Sequence, residues 1–222
     1  MKPSIPTCGN RHISEDFKKF VIHDNHPCIM ANTVFQMENY QLNVYGRLGS
    51  KKTARDLFGD LSEYIAQYDF DSKEFESYIA VFPDMEVFSE IEFENLLWRQ
   101  LQFLHEMDNE PWDSSVSNDP EDSKFSFSIG GKAFYVVGLH PKASRKARRA
   151  PYPTLVFNLH AQFEKLREMG VYHKIRDKIR KRDIDLQGDI NPVLQDFGED
   201  SEAKQYSGRK VEGNWKCPFH HK

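Results

Sequence analysis

The sequence predicts an α+β fold: a mixed sheet of about five strands, three main helices packed on it, and an irregular C-terminal tail wrapped on the domain. Three observations carry this. Short runs rich in aromatic and β-branched residues alternate with amphipathic helical patterns; a Gly130-Gly131 pair sits between two alternating runs; and from about Leu186 no clean period survives. The 222 residues suffice for one sizeable core, so the chain reads as a single domain over 1–222, with 1–24 as a flexible lead-in and 186–222 as the irregular tail.

LNVYG, residues 42–46, reads as the first strand. A helix follows from Ser50, because Ala54, Leu57, Phe58, Leu61 and Ile65 recur at helical spacing. ESYIAVFP, 76–83, is a second strand closed by Pro83. Ser89 and Glu92 then form a capping-box pattern ahead of Phe93, Leu96, Leu97, Leu101 and Leu104, the apolar stripe of an amphipathic helix. Residues 108–124, dense in Asp, Asn, Ser, Pro and Glu, predict an exposed loop. KFSFSI, two glycines and AFYVVGL predict a hairpin, since glycine supplies the positive φ that two-residue turns need. PTLVFN is the last strand, and Phe163, Leu166, Ile175 and Ile179 mark a helix broken near Gly170. In the tail, Leu194, Phe197, Tyr206, Trp215 and Phe219 predict that the segment is pinned to the domain.

A net charge of -4 argues against a general nucleic-acid coat, and no run approaches a membrane span. The first thirty residues hold no apolar leader core, and Cys8, Cys28 and Cys217 are too few and too scattered for a disulfide framework; a cytoplasmic location is expected. Dinucleotide, Walker, HExxH and GxSxG fingerprints are absent.

The chemistry concentrates in GLHPKASRKARRAPYPTLVFNLH, 138–160. Arg145, Arg148 and Arg149 between two strand ends offer fixed forks of donors suited to carboxylate or phosphate. The alternative is a solvated turn. His140 and His160 lie at element boundaries and are candidate metal ligands, with a turn residue and a helix cap as the plainer readings. In WKCPFHH, Cys217 is a candidate thiolate with Trp215 beside it, whereas a zinc site with His220 and His221 lacks the paired CxxC spacing.

Taken together, GLHPKASRKARRAPYPTLVFNLHAQFEKLR, IRKRDIDLQGDINPVLQDFGEDSEAKQYSGR and WKCPF, with HPCIMA and EFENLLWRQLQFLHEMD before them, resemble the YqcI/YcgG family over roughly residues 25–219. Leu159 departs from the proline of a typical member. The resemblance implies heme-dependent oxygen chemistry, as in the N-hydroxylase of guanitoxin biosynthesis and N-oxygenases of arginine-like guanidines. It therefore implies heme b, O2, a small guanidine- or amine-bearing substrate and an external reductant or reductase. On that footing His140, Arg145, Arg148, Arg149, His160 and Trp215 are candidate cofactor contacts. Cys217 is the first choice of axial ligand because a thiolate pushes electron density onto the iron, with His160 and His140 next. Asp196, Glu199 and Glu202 are candidates for holding a guanidinium. A non-catalytic heme- or anion-binding protein is the competing expectation.

Overall fold

The computed structural model describes residues 8–24, 26–189 and 196–222. Its elements run α1 (Cys8–Lys18), a π-helical turn (Lys19–His23), α2 (Ile29–Gln36), β1 (Tyr40–Val44), α3 (Lys51–Gln67), β2 (Ser77–Val81), α4 (Glu90–Met107), β3 (Phe127–Ile129), β4 (Lys132–Leu139), a 3-10 turn (Lys146–Arg148), β5 (Thr154–Leu159), α5 (His160–Glu168), α6 (Tyr172–Gln187) and α7 (Ala203–Tyr206). The α+β class and the five strands are as expected. The helices are seven among the described residues rather than three.

The strands form one mixed sheet in the order β1-β2-β5-β4-β3. β1 and β2 are parallel, joined through α3, and every other pairing is antiparallel. Local signals set these elements. Ser50 caps α3 by accepting from the Thr53 amide at 3.2 Å, and Ser89 caps α4 by accepting from the Glu92 amide at 3.1 Å. The Glu92 carboxylate reaches back to the Phe88 amide at 2.8 Å, one residue earlier than a standard capping box. Gly130 and Gly131 take φ of 59° and 69°, the left-handed pair that turns β3 into β4.

Side chains alternate across the sheet. Tyr78, Ala80, Phe134, Val136, Leu155 and Phe157 join α3, α4 and the tail in the larger core. Ile79, Val81, Val137, Leu139 and Val156 face the other way, under α1, the π-turn and α2. All of β2 is buried because both faces are covered.

Residues 8–24 are helical rather than a loose lead-in. Ile13, Phe17 and Val21, four apart, are almost wholly buried, which anchors the segment over the sheet. The tail is pinned, as expected, with Tyr206 and Phe219 fully buried; Leu194 lies outside the described residues. A buried ion pair ties it to α4: Arg209 Nη2 and Nε donate to Glu94 Oε2 at 2.7 and 3.1 Å, and Ser207 Oγ donates to Oε1 at 3.1 Å. The tail packs so closely on β4 that a Cβ at Gly138 would meet the Tyr206 carbonyl and Phe93 at 2.7 Å. None of the described helices is long and apolar enough to cross a membrane.

Candidate functional site

A cavity of about 320 Å3 lies on the α1/α2 face of the sheet. Its floor is Ile79, Val137, Leu139 and Val156; Phe17, Phe20, Val34 and Phe35 cover it; Phe163, Leu166, Ile175 and Ile179 from α5 and α6 form a wall. That is the concave, mainly apolar lining of a small-molecule or cofactor site, with arginines, acids and two histidines at its polar points.

His160 is one of those points. It starts α5 where β5 ends, is buried, and lines the cavity. Its Nδ1 lies 3.7 Å from Glu164 Oε1, its ring packs edge-on against Phe197 at 4.5 Å, and its Nε2 has no hydrogen-bond partner. Burial holds its pKa below the ordinary value, so the imidazole is neutral near pH 7 and Nε2 can present a lone pair. His26 also lines the cavity, yet both its nitrogens are engaged: Nε2 with the Ala147 carbonyl at 2.8 Å, and Nδ1 with the Cys28 amide at 3.2 Å. Burial pushes its pKa down to about 4.

The basic loop divides. Arg145 is buried against α6, where Nη2 meets Asp183 Oδ2 at 2.5 Å and Nη1 pairs with Asp189, so its charge is answered within the chain. Arg149 is exposed and braces its own loop, donating to the carbonyls of Ala143 at 3.0 Å and Ser144 at 3.3 Å, outside the main cavity. Arg148 reaches the cavity. It donates to the Gly138 carbonyl at 3.1 Å and the Gln205 carbonyl at 3.3 Å. The other cavity arginines are paired: Arg167 with Glu164, and Arg176 and Arg180 with Asp196. Among the described residues Arg148 is therefore the cavity cation with no carboxylate at ion-pair distance.

The acidic candidates divide in the same way. Asp196 lines the cavity but is spent on Arg176 and Arg180. Glu199 lies outside it and accepts from the Asp196 amide at 3.2 Å. Glu202 is buried in the cavity wall, takes hydrogen bonds from Ser126 at 2.9 Å and Tyr206 at 3.4 Å on Oε2, and has no cation at ion-pair distance. Burial, partly opposed by those two hydroxyls, pushes its pKa up to about 8.

Three expected contacts sit elsewhere. Cys217 belongs to the larger core on the opposite face of the sheet, buried beside Phe219, and burial drives its thiol pKa well above the usual value. Trp215 packs there too, 6.3 Å from Trp98. His140 stacks on Phe93 of α4 at 4.4 Å, away from the cavity. The tail's path puts Cys217 and Trp215 on that face, and neither lines the cavity. Among the described residues no group of three or more His, Cys, Asp and Glu is arranged to hold a metal ion by itself. Conversely Cys28, Tyr135, Asn158 and, from α6, Arg176 and Arg180 line the cavity without having been predicted to. HPCIMA and the Ile175, Ile179 spacing were the available signals.

Sheet, helical cover and cavity thus define an α+β protein with a partly open, mainly apolar cavity into which His160 brings a ring nitrogen without a hydrogen-bond partner among the described residues. Within that class the chain belongs to the YqcI/YcgG family, whose model matches residues 17–220. It is 28% identical over 206 residues to the uncharacterized protein YcgG of Bacillus subtilis (strain 168), covering 88% of this chain and 81% of that one. It is 26% identical over 222 residues to the uncharacterized protein YqcI of the same organism, covering 95% and 84%. No solved structure matches.

Proposed function

We propose that the protein is a heme-dependent N-oxygenase that hydroxylates a nitrogen of a small guanidine- or amine-bearing metabolite with O2 and electrons from an external reductant. The observation that carries the reading is what the cavity leaves without a partner or an opposite charge among the described residues: the Nε2 of His160 has no hydrogen-bond partner, the Arg148 guanidinium has no carboxylate at ion-pair distance, and the Glu202 carboxyl has no cation at ion-pair distance, in a mainly apolar lining. These residues fit a flat apolar group with an anionic edge. His160 would hold the iron, in place of Cys217, and Arg148 would hold a propionate of heme b or the carboxylate of an amino acid. The bound iron porphyrin would supply O2 activation.

The rest is the work of the chain's own groups. Glu202 receives the guanidinium; its carboxyl is mostly protonated at pH 7 and gives up that proton as the cation arrives, so charge stays balanced in the enclosure. The apolar cover from α1 and α2 excludes water, which strengthens both charge contacts. Hemin titration of wild type, His160→Ala and Cys217→Ser tests the reading. A one-to-one Soret band is expected in wild type and Cys217→Ser and absent in His160→Ala. Mass spectrometry of guanidines and amines incubated with the reduced holoprotein under labelled O2 then detects one labelled oxygen at nitrogen. A colourless protein overturns the reading, and a hemin-loaded protein that turns over no candidate is a carrier or sensor instead.

A further inference from the structure

We propose that the outer face of α6, extended by the loop 142–149, is the docking surface for a small, strongly acidic iron–sulfur electron carrier. The inference rests on the N-oxygenase reading, which needs electrons that no flavin or nicotinamide fingerprint in the chain supplies. Each N-hydroxylation consumes one O2, two electrons and two protons, places one oxygen atom on nitrogen and releases the other as water. A reduced carrier of this class delivers those electrons singly, in two encounters.

The chain is acidic overall at -4, yet the exposed charged side chains of residues 142–149 and 172–187 are Lys142, Lys146, Arg149, Lys174, Lys178 and Lys181 against Asp177 and Asp185. The two segments adjoin, with the Lys146 amide on Gln187 Oε1 and its Nζ on the Leu186 carbonyl, both at 2.9 Å. α6 is two-sided. Ile175 and Ile179 face the cavity, while Lys174, Lys178 and Lys181, at i, i+4 and i+7, are exposed in a line with no ion pair among the described residues. Of the exposed acids on the helix, Asp177 is held by Arg176 at 2.8 Å and Asp185 stands at the end of the line.

Concentrated charge of one sign on an oppositely charged molecule orients and accelerates encounter with a complementary partner. A carrier seated on this face is separated from the cavity by a single helix, roughly 10 Å across. A lipid surface fits less well, because a membrane-lying helix turns its apolar side outward and α6 turns its own inward. Nucleic acid fits less well too: no exposed Phe, Tyr or Trp lies among the lysines, where His173, Asp177, Ile184 and Asp185 are the other exposed side chains of the helix.

The test uses a [2Fe–2S] ferredoxin and the triple variant Lys174→Glu, Lys178→Glu, Lys181→Glu. Ferredoxin affinity is measured by calorimetry on the protein without hemin, and stopped-flow reduction by ferredoxin or photoreduced deazaflavin on the protein with hemin. Charge reversal is expected to lower ferredoxin affinity and reduction rate at least tenfold at low salt and to leave the deazaflavin rate unchanged. Raising salt to about 0.5 M, where screening shortens to a few ångström, is expected to reproduce the loss in wild type. Unchanged affinity and rate in the triple variant overturn the proposal. So does tighter, lysine-dependent binding of a short RNA or of phosphatidylserine vesicles. If hemin is not taken up, the N-oxygenase reading fails while the calorimetry still decides the surface.

Discussion

Replacing Glu202 by Gln is expected to change how stability depends on pH more than it changes stability at any acidic pH. In the unfolded chain the carboxyl releases its proton near 4.5; in the cavity wall it holds it up to about 8. Between those values the native state binds the extra proton, so Glu202's contribution is fully present below 4.5, declines as pH rises and is lost through pH 8. At about 1.4 kcal/mol per pKa unit, the full penalty above pH 8 is on the order of 5 kcal/mol. The amide of Glu202→Gln keeps an acceptor for Ser126 and never ionises. Urea unfolding of both proteins from pH 5 to pH 9 gives the difference directly. That subtraction matters because His26 and His160, held neutral by burial, tilt stability the opposite way in both proteins. Near pH 5 the two proteins are expected to be similar, and the variant gains on wild type steadily up to about pH 8. A difference that stays within about half a kcal/mol across the range would refute the assignment of Glu202 as a buried, uncompensated acid.

Three further outcomes follow from the geometry. Arg148→Ala is expected to weaken hemin binding by about 1.5 to 3 kcal/mol, the range for a bond to a charged group, and to leave binding of hemin dimethyl ester, which lacks carboxylates, unchanged; titration of both ligands checks it. Arg209→Met strands Glu94 in the core and is expected to cost about 3 to 5 kcal/mol in denaturant unfolding, most of it recovered when Glu94→Leu is added. Gly138→Ala forces a methyl against the Tyr206 carbonyl, which cannot rotate away, and is expected to lower stability by about 1 to 3 kcal/mol, with increased proteolysis of the tail as a second readout.

What could be read from residues alone was what neighbours in sequence decide. The Ser50 and Ser89 caps, the Gly130-Gly131 turn, the break at Gly170 and the strand-to-helix position of His160 are all local features. The N-terminal helices were missed because Ile13, Phe17 and Val21 are spaced among charges and gain meaning only against the sheet they cover. The arginines illustrate the limit best. Arg145, Arg148 and Arg149 look interchangeable in the loop, and they are sorted by partners far along the chain: Asp183 and Asp189 neutralise Arg145, while Arg148 is left on backbone carbonyls. Cys217 shows the same for position. Its softness suited it to iron, but the side of the sheet it reaches depends on how the tail packs over α4 and β4.

The wall that carries Glu202 and Gln205 comes from the tail, whereas the roof and floor come from the first helices and the central strands. Synthesis runs from the N-terminus, so the roof and floor are made before the wall that closes the site. The site is complete only once the segment carrying Glu202 and Gln205 has been made and packed. A polypeptide cut before Glu202 would present the apolar floor without that carboxyl, so loading of any ligand that needs both waits until this segment has packed.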